Sequence, residues 1–445
     1  MSQSILYELF NNTVKSGTGI ATYSRNLTRV AKKLGYRVGG LFHVSRGVSR
    51  KDAILSEVEF FDSRERKGFD LSKYLLFARC WAFGAPLGVK TTSLSRMGVV
   101  LEGRAASGPA EEEFDQRLVA RHFSDVSRLH FKRYGACASL RLPTRPDLFH
   151  ATQAIALHAP GAANVYTIHD LVPLRLPNAT LDDKKFFLQL TRHLCRTADH
   201  IVTVSEASRR DLIEIAGAAP ERVTNTYQAV EFPRSVVEMG ESQVANLVQG
   251  MFELEYKEYF LFYGAIEPKK NIGRLIDAHL GSGSKRPLVI AGGLGWEYEE
   301  ELARLEELPT HNYRVFDGRI AQERKILRVG RLPLFQLVSL IRGARAVLFP
   351  SLYEGFGLPA LESMLLGTPV MTSNVSSLTE VSGDAALLVD PYDVAAMSKA
   401  IKELDADDDL RAEMSKRGIA QAREFSPARY EERMSALYGK ILLGK

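Results

Sequence analysis

Two carboxylates, Glu354 and Glu362, are spaced E-x7-E in the run LYEGFGLPALE, around a turn of Gly355, Phe356 and Gly357. Upstream, RAVLFPS is an apolar, β-branched run closing at Pro350, the pattern of a buried parallel strand. Downstream, PALESMLLG sets Leu361, Met364 and Leu365 at helical spacing and stops at Gly367, the pattern of a short helix with a glycine stop. Glu354 is therefore expected at the carboxyl end of a strand and Glu362 inside the helix that follows. The leading amides of such a helix have no intrahelical acceptor and carry the positive end of its dipole. Glycines let a ligand approach the backbone, amides take an anion, and carboxylates accept hydroxyl hydrogen bonds. The arrangement suits a polyol that carries phosphate. Paired acids are common, and alone these two would read as a turn cap and a solvated helix residue. Their surroundings point the other way.

Lys269 and Lys270, in YGAIEPKKNIGRLIDA, follow an apolar strand ending at Ala265 and Ile266 and are expected to open a helix at Asn271. A lysine there is well placed to meet a diphosphate, whereas two adjacent lysines in isolation would be a solvated helix start. His169 and Asp170, in VYTIHDLVPLRLP, stand directly after another apolar strand, where the crevice of an open α/β sheet lies. His150, in DLFHATQ, also ends a strand and is a poorer candidate. Gly17, Thr18 and Gly19 make a glycine loop after the first strand without completing a dinucleotide fingerprint. Gly292, Gly293 and Gly295 follow a strand and turn the chain toward the same crevice. Asp405, Asp407 and Asp409 contain a D-x-D, but they precede the helical run LRAEMSKRG and favour its dipole, so no metal is expected.

SLYEGFGLPALE, followed by GTPV and SNVSSLTEVSGDAALLVDP, closely resembles the C-terminal signature of retaining GT-B glycosyltransferases of family GT4, mannosyltransferase-like branch. The resemblance extends in weaker form over most of the chain. It implies two doubly wound α/β domains, Rossmann-like, facing across a cleft, with donor binding on the C-terminal one. It implies that Lys270 and the amides of Gly355, Phe356, Gly357 and Leu358 take the donor diphosphate, that Glu354 holds the sugar hydroxyls and that Glu362 holds the ribose. His169 lies by the donor sugar, near its 6-hydroxyl. Gly19, with Gly17 and Thr18, forms a loop where donor phosphate and acceptor meet, and Asp170 either orients His169 or contacts the acceptor. Relatives usually carry an Arg where this chain has Ala265, a departure that leaves the second cation unassigned, with Lys269 as a candidate. The implied reaction is transfer of a hexose, mannose from GDP-mannose, to a saccharide or lipid-linked saccharide as in bacterial surface polysaccharide synthesis. It proceeds by front-face attack with retention and with neither metal nor other cofactor. The alternatives are a UDP-sugar donor, set by loops near Gly318 and Arg331, and a non-catalytic sugar-nucleotide-binding partner subunit.

The elements that must position these residues alternate in type. ILYELF reads as a first strand, a helix runs from Ile20 to Leu34, and YRVGGLFHV begins the next strand. DLFHATQ, NVYTIHDL and HIVTVSEAS are strand-like, the last leading into a helix capped by Ser205 or Ser208. A second series runs through YFLFYGAI, PLVIAGG, YRVFDG, AVLFPS, TPVMTS and ALLVDP. On this alternation the resemblance implies an acceptor-binding domain over residues 1–231, a connection over 232–257, the nucleotide domain over 258–424, and a C-terminal helix, 425–445, crossing back. Residues 61–145, with 15 Lys and Arg against 9 acids, are expected to hold helices and mobile loops.

The length of 445 residues suits two domains, and 45% apolar with 25% charged residues describes an ordinary globular protein. MSQSILYELFNN lacks a basic n-region and an apolar h-region, no run reaches bilayer-spanning length, and Cys80, Cys137 and Cys195 are widely spaced. These features suggest a cytoplasmic protein with reduced thiols. Residues 1–231 carry 32 basic against 23 acidic side chains, a net of +9, and the remainder 26 against 30, a net of −4. A basic N-terminal half fits an anionic partner on one domain, such as the inner face of a membrane, and no nucleic-acid-binding pattern accompanies it.

Overall fold

The computed structural model describes residues 3–10, 19–46, 48, 52–63, 71–95, 97–100, 114–307, 312–316, 319–323 and 325–443. Two sheets dominate it. The first has eight strands in the order Val223–Asn225, His200–Thr203, Ala163–Thr167, Leu148–Ala151, Ser4–Glu8, Arg37–Val44, Gln116–Arg121 and Thr92–Ser93. Every neighbouring pair is parallel except the last. The second has six parallel strands, Ile326–Val329, Leu288–Ala291, Phe260–Tyr263, Ala346–Phe349, Val370–Ser373 and Leu387–Val389.

The central strands FLFY, LVIA and AVLF are buried at every position, which is why they read as continuous apolar runs rather than alternating ones; VMTS is equally buried, its Thr372 and Ser373 hydroxyls donating to the carbonyls of Phe349 and Ser351. Helices on both faces exclude water, and each fully buried Leu, Ile or Phe contributes roughly 1.5–3 kcal/mol. In each sheet the strand order reverses beside the first strand of its series: between Ser4–Glu8 and Leu148–Ala151, and between Phe260–Tyr263 and Ala346–Phe349. Such switch points open a crevice beyond the carboxyl ends of the strands. They fix where the candidate residues can converge.

Three expectations change. The basic region contains a full strand, Gln116–Arg121, paired in parallel with Arg37–Val44. Its polar ends and short apolar centre conceal it, because only pairing with a buried neighbour makes QRLVAR a strand. The run GRAASGPAEEE lies wholly outside the described residues. YRVFDG does not join the second sheet: Asn312–Phe316 pairs antiparallel with Arg319–Glu323, and ILRV supplies the sheet's edge strand instead. Lys269 and Lys270 do not open an α-helix either. They sit in a 3-10 turn, Pro268–Lys270, and Asn271 adopts φ 61° before the helix Ile272–Ser282 begins. Asn271 Nδ2 donates to the carbonyls of Pro350 (3.1 Å) and Pro391 (2.6 Å), which anchors that left-handed residue.

Within 232–257, the helix Glu241–Phe252 packs on Leu334–Gly343, beside the second sheet. The helix Pro427–Leu443 instead reaches the first sheet. Tyr438 Oη lies 2.9 Å from Tyr7 Oη and 2.7 Å from His150 Nδ1. His150 Nε2 and Tyr23 Oη both meet Thr167 Oγ1 at 2.8 Å. Burial pushes His150 down to about 3, so it serves this hydrogen-bonded chain as a neutral ring.

Candidate active site

Lys270 and Glu354 issue from the two strands that flank the second sheet's switch point. The turn after Phe260–Tyr263 brings Lys270, and the turn after Ala346–Phe349 brings Glu354; Lys270 Nζ lies 2.5 Å from Glu354 Oε1. Both are under a tenth exposed. Lys269 Nζ is 3.5 Å from Glu267 and 4.0 Å from the second oxygen of Glu354. Burial opposes ionisation of Glu354, but Lys270 and then Lys269 outweigh it and hold the carboxyl below its ordinary range. Burial likewise opposes the charge on Lys269, and Glu354, Asp170 and Glu267 more than offset it. Ala265 is exposed and brings no charge. The result is a preassembled cationic pair, with Glu354 against both lysines and Glu267 and Asp170 beside Lys269.

The glycine turn follows Glu354 directly in the chain. Gly357 takes φ 98° at the start of the helix Leu358–Leu365, a conformation that side chains resist. The amides of Gly355 to Leu358 precede the first hydrogen-bonded turn, the position at which helices receive anions. Glu362, in that helix, accepts from Tyr263 Oη at 3.1 Å, and burial pushes its carboxyl up to about 7.

The first domain closes on the turn. A Cβ added to Gly355 would stand 2.8 Å from the carbonyl oxygen of His169 and 2.9 Å from the Asp170 side chain. Gly19, opening the helix Gly19–Lys33, would come within 3.3 Å of Leu358. Two helix N-termini therefore meet across the cleft. Gly17, Thr18 and Gly318 lie outside the described residues. His169 Nε2 is 2.9 Å from the Thr152 carbonyl, an acceptor only, so Nε2 carries the proton and Nδ1 keeps a lone pair. Burial lowers the His169 pKa, against the opposing influence of Thr152 and Asp170, and keeps the ring neutral. Asp170 Oδ1 accepts from Val172 N at 3.0 Å.

Several contributors escape a reading of the sequence. Ser208 Oγ donates to the His169 carbonyl at 2.7 Å and lies 3.4 Å from the Gly355 carbonyl, linking both domains. Glu380 accepts from Glu206 N (2.9 Å) and Ala207 N (2.8 Å) at the start of Glu206–Ala216, across the same cleft. Tyr353 Oη meets Asp211 Oδ2 at 2.5 Å, and Asp211 also binds Arg175. Glu8, at the end of the first strand, is fully buried and pushed up to about 7 by that burial. Local signals exist only for Glu8, at the end of ILYELF, and for Ser208, which reads as a cap candidate although Ser205 caps the helix. Of the D-x-D acids, Asp407 caps Asp408–Ala422 and Asp405 pairs with Arg286 at 2.5 Å.

Gly355→Ala should wedge the domains apart at His169, lowering kcat/KM by about tenfold or more while costing at most about 1–3 kcal/mol of stability. Steady-state kinetics beside denaturant melts would check this, and full activity would show that the observed closure is unnecessary.

Two doubly wound sheets apposed at their switch points, with cations and helix N-termini turned into the cleft, define the GT-B class of glycosyltransferase fold. HepE from Anabaena, solved with UDP and glucose, shares it at TM-score 0.61 and 15% identity, over 98% of this chain and 100% of that one. Residues 250–421 match the model for glycosyl transferases group 1, and residues 94–231 match glycosyltransferase family 4. Over 270 residues the chain is 35% identical to O-antigen chain mannosyltransferase B of Escherichia coli, covering 59% of this chain and 66% of that protein. It is 29% identical to the serotype-specific mannosyltransferase WbdA of Escherichia coli over 59% of this chain and 31% of that protein. D-inositol 3-phosphate glycosyltransferase of Acidothermus cellulolyticus is 32% identical over 51% of this chain and 50% of its own length. The protein belongs to the group 1, family 4 glycosyltransferases. It spans about two thirds of the first of these relatives and under a third of the second.

Proposed function

We propose that the protein is a retaining hexosyltransferase that moves mannose from GDP-mannose onto a saccharide or lipid-linked saccharide in the synthesis of a surface polysaccharide. The observation that carries this is the Lys269–Lys270–Glu354 cluster immediately before the glycine turn Gly355 to Gly357, which His169 and Asp170 approach from across the cleft. In this reading the diphosphate replaces Glu354 as partner of Lys270, and the freed carboxylate turns to the sugar hydroxyls. The lysines and amides stabilise negative charge as the diphosphate departs, in a site that excludes water. Glu362 accepts from the ribose hydroxyls. His169, neutral with a lone pair on Nδ1, accepts from the sugar's 6-hydroxyl, while the departing phosphate takes the acceptor's proton. The sequence similarity to mannosyltransferases favours mannose. No metal or other cofactor enters the scheme.

The deciding experiment is calorimetric titration of the protein with GDP-mannose and a panel of UDP-sugars, without added metal. Selective binding of GDP-mannose supports the reading. Selective binding of a UDP-sugar corrects the donor, and binding of a sugar nucleotide without transfer to any acceptor favours a non-catalytic partner subunit.

We further propose that the enzyme works on the cytoplasmic face of a membrane. No helix among the described residues is long and apolar enough to cross a bilayer. Instead Trp81, Phe83 and Leu87 stand 75%, 64% and 79% exposed, with Arg79, Lys90 and Arg133 exposed nearby. Apolar anchors ringed by cations suit an anionic lipid surface. Co-sedimentation should require anionic vesicles and weaken several-fold in a Trp81→Ser, Leu87→Ser variant; equal recovery with neutral vesicles would refute the electrostatic part.

A further inference from the structure

A cavity of about 720 Å³ opens beside His169 and Asp170. Its size falls among pockets that enclose small organic ligands. Both domains build it. The helix Lys184–Thr197 and its cap contribute Asp183, Phe186 and Phe187, and the preceding loop contributes Asp182. Trp296 arrives from the loop after Leu288–Ala291, on the nucleotide side. Its Nε1–H donates to Glu267 Oε2 at 3.1 Å, which fixes the ring, and Glu267 in turn lies 3.5 Å from Lys269. The pocket is thus completed by a residue tied to the cationic turn.

The lining has two chemistries. A pyranose offers a face of C–H bonds and a rim of hydroxyls. Aromatic rings cover the first, and ionised carboxylates accept from the second. Among the described lining residues, Arg128 is the only Lys or Arg, set against Asp170, Asp182 and Asp183. Arg128 is itself engaged: its guanidinium lies 3.5 Å from Asp183 and 5.0 Å from the centre of the Phe186 ring. Lys132, from the same helix, reaches Asp183 at 2.7 Å. A phosphate monoester would bring about −1.5 to −2 charges to a wall already rich in carboxylates.

We propose that this cavity is the acceptor subsite and that it selects a neutral, phosphate-free sugar unit, the end of a glycan, with Trp296 covering the ring. This rests on the transferase reading above and narrows its acceptor. The discrimination is by repulsion as much as by fit.

Saturation-transfer NMR with methyl α-mannoside and mannobiose, in the presence of GDP, provides the test, with mannose 6-phosphate and inositol 3-phosphate as charged probes. The neutral sugars should bind at least about tenfold more tightly than the charged ones. Phe187→Ala and Trp296→Ala, one from each wall, should each weaken the neutral sugars by about tenfold. Asp182→Lys, at an exposed position, should shift preference toward the phosphorylated probes. Phosphorylated sugars binding as well as neutral ones, or neutral-sugar affinity unmoved in both ring variants, would overturn the proposal. So would sugar-nucleotide binding in the same preparations without any neutral-sugar signal, and that result would leave the transferase reading standing. Failure to bind any sugar nucleotide would instead strike the transferase reading itself.

Discussion

Lys270→Met should lower kcat/KM by about a hundredfold or more and destabilise the protein at the same time. The catalytic loss follows from removing a fixed cation aimed at developing charge, the kind of contact whose loss costs about 10²–10³ in rate. The stability loss follows from Glu354, which is 7% exposed and would remain as a buried charge without its closest partner. Breaking one side of such a pair costs about 3–5 kcal/mol, at the lower end here because Lys269 stands 4.0 Å away. The double variant Lys270→Met, Glu354→Gln separates the two effects. It should recover most of the stability, since a neutral amide needs no counter-charge, and none of the activity. Calorimetric melts and donor titrations of the three proteins are sufficient. Donor affinity unchanged in the single variant would remove Lys270 from the phosphate site.

Glu362→Gln should act in opposite directions on stability and binding. The ordinary pKa of this carboxyl is 4.5 and burial raises it to about 7 in the fold. Its contribution to stability is therefore complete below about 4.5 and is lost as pH rises through about 7, where an incompletely solvated charge must form. Removing that charge should raise the melting temperature at pH 8, by an amount corresponding to about 1–3 kcal/mol, and leave it unchanged near pH 4. Free nucleotide and sugar nucleotide should both bind more weakly, because the ribose loses its charged acceptor. In the parent protein, nucleotide affinity should fall as pH drops below about 7 and Glu362 takes up a proton. A variant that kept nucleotide affinity and changed only sugar choice would exchange the roles assigned to the two glutamates.

These residues were legible in the sequence because each follows a strand that announces itself. FLFY and AVLF are buried at every position, so their apolar runs mark the strands, and the polar residues just beyond mark the crevice. The placement of Glu362 in a short helix after a glycine turn was readable in the same way. What could not be read depends on contacts made far along the chain. Glu380 shows its role only where it meets the amides of residues 206 and 207, more than 170 positions away. Gln116–Arg121 becomes a strand only beside Arg37–Val44, and Asn312–Phe316 resembles a sheet strand until its hairpin partner is seen. The 3-10 turn under Lys270 follows from Asn271 gripping two carbonyls, a tertiary contact with no local signature.

The hydrogen bond between Tyr7 and Tyr438 joins residues 431 positions apart. During synthesis the first sheet emerges from the ribosome well before the second, yet Tyr7, Tyr23 and His150 wait for the helix Pro427–Leu443, which follows the whole second sheet. At roughly 5–20 residues per second that delay is tens of seconds. The second sheet, whose strands all lie between residues 260 and 389, needs no such wait for its own pairing. The domain made first is thus the one finished last. Until that helix docks, the first domain keeps apolar core surface uncovered, the condition in which incomplete domains aggregate.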